Sequence, residues 1–431
     1  MKRQRSSSPP NIYKRTSSNR KGSVFFQTLD EKLDCVGVYH DGDLIFDDAE
    51  IRQTIKKSKA TWKYSPHLEK YGNKEYASLY TNGETIQNIC PDFLREEWED
   101  ASNKMKAHLR ALKIAKVDMR NNCIWDMVPE RDIKELCEVK NRVTEYVLEN
   151  YERPTNYDHL LEVAKLLDGI KTQRVNMEIA PQWLVSSDKT IRNMSNLMRT
   201  SAPFVNYNQF GTRTGRLTTN KGCFPILTLK KELRTAVKPK NDFFIELDYN
   251  GAELRVLLGM LGHEQPTVDV HQWNVDNVFD GNITRDEAKT NFFAWLYGSR
   301  HPKIIKYGKV LETFYDKETL LDRYWDRKTV RTDFHRTIPA DEYHALNFLV
   351  QSTSADMTLN AAVRLNDLLD KYATKTHIAF LIHDSVVLDF SVEDKPLLKE
   401  FIQTIQATKW GDFKINVSAG HNLGNLKKMN I

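Results

Sequence analysis

The sequence predicts an α+β protein, and three observations support that fold class. The stretch "CVGVYHDGDLIF" joins two apolar runs through Asp-Gly, which indicates a β-hairpin. Between residues 101 and 200 the apolar residues recur with helical spacing, as in "DIKELCEVKNRVTEYVLENY". From about residue 202 onward, strands, loops and helices alternate. A chain of 431 residues is long enough for two or three such domains.

The N-terminal segment 1–22 is predicted to be a disordered basic tail. It holds seven Lys and Arg residues and no acidic residue, in a chain whose net charge is +5. Weak binding of nucleic acid and a merely solvated tail are both open interpretations. An organelle transit peptide is a weaker one, because Pro9 and Pro10 would interrupt its amphipathic helix. A cytoplasmic location is expected ahead of a mitochondrial one.

Membrane and disulfide classes are not supported by the composition. No apolar run approaches the ~18 residues of a membrane span. The five cysteines form no CxxC pair, so neither a disulfide framework nor a zinc site is expected, and the compartment should be reducing.

Residues 23–100 are predicted to form a small α+β segment. The stretch "YASLYTNGETI" repeats the apolar pattern around Asn-Gly and predicts a second hairpin. Residues 101–202 are predicted to be helical, with charged faces of the kind that usually lie in solvent.

Two carboxylates stand at the ends of predicted strands. In "FFIELDYNGAELRVLLGML" a buried strand ends at Asp248 and a helix follows a Gly-containing turn. In "HIAFLIHDSVVLDF" two apolar runs flank a turn that carries Asp384. Alone, each Asp also fits ordinary capping or turn chemistry. Together they could hold Mg²⁺ ions for phosphoryl transfer, provided that the fold joins them.

The stretch "RDEAKTNFFAWLYG" predicts a helix with two stripes. The first is apolar and typical of a core contact. The second begins with two cations and ends with two aromatic rings; its members are Arg285, Lys289, Phe293 and Tyr297. Cations one turn apart can clamp a polyphosphate, and aromatic rings can stack on a base. A nucleoside triphosphate fits this stripe; a cationic edge beside an aromatic core patch is the alternative.

Three weaker stretches could contribute to the same chemistry. Asp269 and His271 in "DVHQW" could add a phosphate donor. The loop "TRTGRLTTN" is basic and rich in hydroxyl groups, which is typical of contacts with a nucleic-acid backbone. In "YHALNFLVQSTSAD", Asn347 and Gln351 lie one helical turn apart, where amides can contact base edges. Each of these stretches also fits an ordinary surface.

Taken together, the motifs resemble the family A DNA polymerases. In order they are "TGRL", "DYNGAELR", "DVH", "RDEAKTNFFAWLYG", "NFLVQSTSAD" and "HDS", and the closing "INVSAGHNLGNLK" is similar as well. The resemblance covers about residues 203 to 427. It implies a right-hand fold with palm, fingers and thumb, the palm being built on an antiparallel sheet. The implied domains are a thumb and lead-in at 101–202, palm at 203–260 and 340–431, and fingers at 261–339. The segment 23–100 would be a vestigial exonuclease or a cap.

The resemblance implies a DNA-directed DNA polymerase that extends a primer 3′-hydroxyl with dNTPs by a two-metal mechanism. Asp248 and Asp384 would hold two Mg²⁺ ions, with Mn²⁺ as a substitute, helped by the Tyr249 carbonyl. The groups implied to grip the triphosphate are Arg285, Lys289 and His271. Lys289 would also stabilise the departing pyrophosphate.

The resemblance assigns the remaining site residues to the sugar, the bases and the primer–template. Phe293 would pack against the incoming nucleotide, and Tyr297 would stand beside the templating base. Glu253 matches the family's steric gate against a ribose 2′-hydroxyl. The implied contacts with primer–template DNA are Arg216, Asn347, Gln351 and His383.

The chain departs from the family pattern in several places. Ser385 follows His-Asp where the family usually has Glu, Tyr343 stands where Arg is usual, and the fingers are expected to be short. "TLDEKLD" does not clearly supply the Asp-x-Glu start of an exonuclease. Proofreading is therefore expected on a separate exonuclease subunit, with a processivity subunit as another candidate partner.

The sequence leaves two other functions open. One is a single-subunit RNA polymerase, which Glu253 and the Lys289 helix oppose. The other is a binding subunit without catalysis, which the retained carboxylates and cations oppose. A phage-type source, with the protein in a bacterial cell, is expected from the compact size and the missing exonuclease. Roles in replication, repair or translesion synthesis are not distinguished.

Overall fold

The computed structural model describes residues 23–27, 35–40, 43–45, 53, 60–61, 75–117, 127–299 and 301–429. The predicted basic tail and the "TLDEKLD" stretch lie outside these residues. The chain divides into two units, Met1–Glu152 and Arg153–Ile431. This division does not test the domain bounds expected from the resemblance, which remain a prediction.

The first unit contains short strands and a pair of long helices. Its strands are β1 (Ser23–Gln27), β2 (Cys35–His40), β3 (Asp43–Ile45), β4 (Ala60–Thr61) and β5 (Glu75–Tyr76). Its helices are α1 (Ala77–Tyr80), α2 (Ile86–Ile89), α3 (Asp92–Ile114) and α4 (Glu130–Asn150). Strands β1, β2 and β3 form an antiparallel sheet in that order, which confirms the hairpin predicted around Asp-Gly. Helices α3 and α4 pack against each other.

The second predicted hairpin, in "YASLYTNGETI", is wrong. Helices α1 and α2 stand there instead of strands. Asn82 and Gly83 adopt the positive φ angles, 52° and 76°, that an Asn-Gly hairpin turn would also use. Here the Gly83 N–H donates to the Ser78 carbonyl at 2.8 Å and so ends a helix. The Asn-Gly pair therefore ends a helix here, because residues with positive φ serve helix termination as well as hairpin turns.

The second unit holds a five-stranded sheet surrounded by helices. Its strands are β6 (Tyr207–Asn208), β7 (Thr218–Thr219), β8 (Phe243–Tyr249), β9 (Thr329–Arg331), β10 (Thr337–Pro339), β11 (His377–Ile382), β12 (Ser385–Phe390), β13 (Ala407–Thr408), β14 (Gly411–Asp412), β15 (Ile415–Gly420) and β16 (Lys427–Lys428). Its helices are α5 (Tyr157–Lys171), α6 (Pro181–Leu184), α7 (Lys189–Thr200), α8 (Ala252–Met260), α9 (Val270–Val278), α10 (Arg285–Leu296), α11 (Pro302–Phe314), α12 (Lys317–Tyr324), α13 (Glu342–Lys371) and α14 (Leu398–Gln406). Short 3-10 helices occur at Ile226–Thr228, Leu233–Ala236 and Val392–Leu397.

The central sheet has the order β11-β12-β8-β15-β16, and all of its pairs are antiparallel. Strand β8 is the middle strand of the sheet, and its run "FFIEL" is mostly apolar, as expected for a strand with neighbours on both sides. Ile245 and Leu247 are fully buried, whereas Glu246 and Asp248 alternate with them on the opposite face. The predicted strand before Asp248 and the predicted hairpin around Asp384 are confirmed.

Helices α8, α10 and α13 also form where the motifs predict them. Helix α10 begins with a capping box, in which the Thr284 and Glu287 side chains exchange hydrogen bonds with each other's backbone N–H groups. The long helix α13 packs against α5, α8 and α14. In the described parts of the chain, no helix combines the length and apolar character needed to span a membrane.

We expect Gly251→Ala to destabilise the second unit by about 2–4 kcal/mol, since it combines left-handed strain with overpacking. Gly251 has φ of +68°, and a Cβ there would lie 2.5 Å from Val270 Cγ1. The control is Gly262→Ala, because Gly262 has φ of +81° but no atom near its absent Cβ. The control should lose only about 1 kcal/mol. Urea denaturation measures both, and equal losses would contradict the packing argument.

Candidate active site

Two aspartates from distant parts of the sequence meet at one end of the central sheet. Asp248 is the penultimate residue of β8, and Asp384 lies in the two-residue turn between β11 and β12. Ser385, the first residue of β12, is paired with Asp248. The Tyr249 N–H donates to the Asp384 carbonyl at 3.5 Å. Strand pairing therefore brings together the two carboxylates predicted to hold metal.

The charge on Asp248 is poorly compensated in the protein alone. Burial raises the pKa of Asp248 to about 7, and the nearby Asp384 and Glu246 carboxylates add to the shift. The Asn416 amide, which donates to Asp248 Oδ2 at 3.3 Å, and the Lys289 ammonium act in the opposite direction. A second positive charge at this position would relieve the repulsion between the carboxylates.

The donor chemistry fits a hard divalent cation. Carboxylate and backbone carbonyl oxygens are the groups that Mg²⁺ accepts in proteins, together with water and substrate phosphates. Tyr249 follows Asp248 on β8, and its buried hydroxyl donates to the Ile405 carbonyl at 2.6 Å. Within the described ranges, no three His, Cys, Asp or Glu side chains form a ready-made metal cluster. The candidate site is therefore a pair of carboxylates that still needs oxygens from water or substrate.

A buried arginine holds the turn that follows Asp248. Arg255 is fully buried on α8 and donates to the Asn250 carbonyl at 2.7 Å and to the Val268 carbonyl at 2.9 Å. Burial lowers its pKa to about 10, so it stays charged at neutral pH. The Asn250 side chain accepts from the Val270 N–H at 2.8 Å. These bonds connect the Asp248 turn to the start of α9.

Helix α10 presents its predicted stripe of cations and rings beside this turn. Arg285 forms a two-pronged ion pair with Asp269, with nitrogen–oxygen distances of 2.9 and 2.8 Å. Lys289 is exposed, and its charge lowers the pKa of Asp248. The Phe293 and Tyr297 rings lie 5.8 Å apart, and the Tyr297 side chain is 39% exposed. The four side chains therefore lie along α10 as predicted, but Arg285 is already paired with the Asp269 carboxylate.

Asp269 connects three parts of this region. Besides Arg285, it accepts from the His271 and Gln272 N–H groups at 3.1 and 3.0 Å and so caps α9. The Asn250 amide donates to it at 2.8 Å. Partial burial alone would raise the pKa of Asp269, but the Arg285 guanidinium and these donors hold it well below its usual range. Asp269 therefore stays ionised.

His271 lies under the stripe. Its side chain is only 2% exposed, its ring lies 5.9 Å from that of Phe293, and Nδ1 has no hydrogen-bond partner among the described residues. Burial, followed by the charge on Lys289, lowers the pKa of His271 to about 4. The ring is therefore neutral at pH 7, and any contact with a phosphate would come from a neutral N–H.

Glu253 is the centre of a second polar cluster. Its carboxylate is 5% exposed on α8 and accepts hydrogen bonds from Arg216 Nη2 and from the Tyr297 hydroxyl, the latter at 3.0 Å. Burial raises the pKa of Glu253 despite the Arg216 charge. Burial and Glu253 together raise the pKa of Tyr297 to about 12. The predicted gate residue is thus tied to both the "TGRL" loop and the end of α10.

One of the two amides on α13 contacts the same loop. Gln351 Oε1 accepts from the Thr214 hydroxyl at 2.7 Å. Asn347 Oδ1 is buried and has no hydrogen-bond partner within the described part of the chain. His383 lies in the turn before Asp384; its side chain reaches solvent, but loss of water around the ring lowers its pKa.

Several residues of this region were missed from the sequence. Glu246 stands two residues before Asp248, so the two-residue period of a strand could have placed it on the same face. Arg336 forms a two-pronged ion pair with the fully buried Asp356, at 2.8 and 2.6 Å. The Arg336 guanidinium carbon lies 2.6 Å from where a Gly215 Cβ would be, which explains a glycine in the "TGRL" loop. No local pattern predicts this pair.

Comparison with known proteins points to one family of enzymes. Residues 280–426 match the model of a family described as DNA polymerase family A. This stretch includes α10, α13 and the Asp384 turn.

The chain is similar to family A DNA polymerases.

Curated relatives show the same similarity at low identity. DNA polymerase I of Chloroflexus aurantiacus is 23% identical over 271 residues, which are 52% of this chain and 29% of that protein. DNA polymerase I of Borreliella burgdorferi is 22% identical over 351 residues, 69% of this chain and 36% of that protein. The DNA polymerase of Mycobacterium phage D29 is 27% identical over 177 residues, covering 34% of this chain and 28% of the relative. The chain therefore spans about a third of the length of these relatives.

A solved structure has the same fold over nearly the whole chain. It is the POL domain of Pol1 from M. smegmatis, in complex with DNA primer-template and dNTP. The TM-score is 0.64 at 11% identity, and the match covers 94% of this chain and 96% of that one. The predicted α+β polymerase fold is confirmed.

We expect His271 to make the protein less stable in acid. Its pKa is about 4 in the folded chain and about 6.5 when unfolded. The unfolded chain therefore takes up the proton first, and stability falls as the pH drops from about 6.5 to 4. His271→Gln should remove about 2 kcal/mol of the loss in unfolding free energy between pH 7 and pH 5. Urea denaturation at both pH values measures this, with the exposed His263→Gln as control; an unchanged pH dependence would contradict it.

Proposed function

We propose that this chain is a DNA-directed DNA polymerase that extends a primer 3′-hydroxyl with dNTPs. The observation that carries the proposal is the pairing of β8 with β12, which joins Asp248 and Asp384 beside the cations of α10. The similarity to family A DNA polymerases supports it. The neighbour with primer-template and dNTP makes these the natural candidate partners.

Asp248 and Asp384, with the Tyr249 carbonyl, would hold two Mg²⁺ ions. Bound there, the ions would supply the acidity that activates the 3′-hydroxyl and the charge that offsets the phosphates. Strand β8 holds Asp248 and the turn between β11 and β12 holds Asp384, while the Asn416 amide orients Asp248 by donating to its Oδ2.

Helix α10 would bind the triphosphate and the base. Lys289 is free in solvent and close to Asp248, so it can meet the departing phosphates. Arg285 can join it by exchanging the Asp269 carboxylate for a phosphate, which offers the same two-pronged geometry. Phe293 and Tyr297 provide the flat surfaces for the sugar and bases at the other end.

The primer–template would lie against the "TGRL" loop and α13. Arg216 is half-exposed while holding Glu253, and Asn347 has a buried oxygen without a partner in the described ranges. Both features suit a surface that completes its hydrogen bonds on DNA. Gln351 and His383 flank the same region.

We further propose that the chain does not proofread and relies on a separate exonuclease. The proposal rests on the absence of a clear Asp-x-Glu start in "TLDEKLD". Incubating the pure protein with a mismatched primer end tests it, because removal of the terminal nucleotide would contradict it.

The proposed polymerase activity is tested by extension of a labelled primer on a DNA template with Mg²⁺ and dNTPs. We expect Asp384→Asn and Asp248→Asn to reduce extension about a thousandfold or more, since each removes charge stabilisation worth several kcal/mol. DNA binding, followed by fluorescence anisotropy, should be nearly unchanged. The matched control is Asp412→Asn, at an exposed carboxylate on β14. Normal extension by Asp384→Asn would refute the metal assignment.

Glu253→Ala should admit ribonucleotides more readily. The Glu253 carboxylate is held rigidly by Arg216 and Tyr297, so its removal opens space beside the sugar. We expect discrimination against ribonucleotides to fall by roughly 10- to 100-fold, measured as the ratio of kcat/KM values. The exposed Glu264→Ala serves as control. An unchanged ratio would remove Glu253 from the gate role.

A further inference from the structure

The central sheet carries a third carboxylate that the proposed mechanism does not use. Glu246 lies on β8 two residues before Asp248, and strand alternation puts both side chains on one face. Glu246 is half-buried there. Burying an ionised carboxylate raises the free energy of the folded state unless a cation or hydrogen-bond donors compensate its charge.

The neighbouring strand lacks the carboxylate that the family pattern has after His-Asp. Ser385 occupies that position; it is 3% exposed, and its hydroxyl donates to the Ile382 carbonyl at 3.0 Å. The Ser385 hydroxyl also lies 3.5 Å from Glu246 Oε1. The long Glu246 side chain on β8 and the short, uncharged Ser385 side chain on β12 therefore lie side by side.

Glu246 lies close to the candidate active site. Strand alternation places it on the face of β8 that carries Asp248, and the Ser385 hydroxyl, 3.5 Å from Glu246 Oε1, belongs to the residue paired with Asp248. The charges on Arg234 and Lys231 also act on Glu246. The three carboxylates thus form one region of concentrated negative charge.

We propose that Glu246 supplies, from the adjacent strand, the carboxylate missing at Ser385, and that it thereby strengthens binding of divalent cations by Asp248 and Asp384. This inference rests on the proposed function. Glu246 is a positioning residue rather than a direct ligand, because the three side chains do not form a compact metal cluster. It acts through its charge and by accepting hydrogen bonds from water on the ion.

A purely structural role is the competing explanation. Glu246 would then only balance the Arg234 and Lys231 charges, and cation binding would not depend on it. The two explanations differ in one observable, the affinity of the DNA-free protein for Mn²⁺.

The test is titration calorimetry of the full chain with Mn²⁺ in the absence of DNA and dNTPs. Glu246→Gln should raise the Kd for Mn²⁺ about tenfold, at the lower end of the range for outer-shell partners of metal ligands. Glu393→Gln is the matched control, since Glu393 is exposed and paired with Lys375 at 2.6 Å. An Mn²⁺ Kd within twofold of the unmodified protein in Glu246→Gln would overturn the proposal.

A double variant moves the carboxylate back to the other strand. Glu246→Ser combined with Ser385→Glu exchanges the two side chains and nearly conserves the volume between the strands. We expect its Mn²⁺ Kd to lie within about threefold of the unmodified protein, because the charge stays near both aspartates. A Kd as weak as that of Glu246→Gln would overturn the proposal. This variant keeps the test decisive if Glu246→Gln folds poorly.

Asp248→Asn and Asp384→Asn separate this inference from the proposed function. If both leave Mn²⁺ binding and primer extension unchanged, the metal site itself is refuted. If both abolish binding while Glu246→Gln does not weaken it, only the role of Glu246 fails.

Discussion

The register of β8 between β12 and β15 is the constraint on which the candidate site depends. It sets Ser385 on one side of Asp248 and Asn416 on the other. A slip of one residue would turn Asp248 into the core and bring Leu247 to the cleft. Burial of Ile245 and Leu247 opposes that slip. The alternation of apolar and acidic residues along β8 therefore both stabilises the sheet and fixes the face on which Glu246 and Asp248 lie.

Charge is distributed unevenly across this region. The sheet contributes Glu246, Asp248 and Asp384, while α10 contributes Arg285 and Lys289. Neither set is neutralised by the other in full, as the raised pKa of Asp248 indicates. The protein therefore keeps a group of carboxylates beside the exposed Lys289 cation, and a ligand with metal ions and phosphates would match both.

Those parts of the fold and of the candidate site that depend on patterns within a short stretch of sequence could be predicted. Strand β8, the Asp384 hairpin and the stripe of α10 follow from period and turn chemistry. The hairpin expected at Asn82–Gly83 was wrong because left-handed residues also end helices. The roles of Arg255, and of the Asp269–Arg285 and Arg336–Asp356 pairs, could not be predicted, since each joins segments whose proximity only the tertiary fold creates.

The Asp269–Arg285 pair has a consequence for selectivity. The Arg285 guanidinium is already paired with the Asp269 carboxylate. The net binding free energy of an incoming anion is therefore only the difference between its own contact with Arg285 and the Asp269 contact that it displaces. A monophosphate or chloride has little advantage over Asp269, whereas a chain of phosphates that also reaches Lys289 gains a second attachment. In the proposed function, competition from Asp269 would therefore favour long polyanions over simple anions such as chloride.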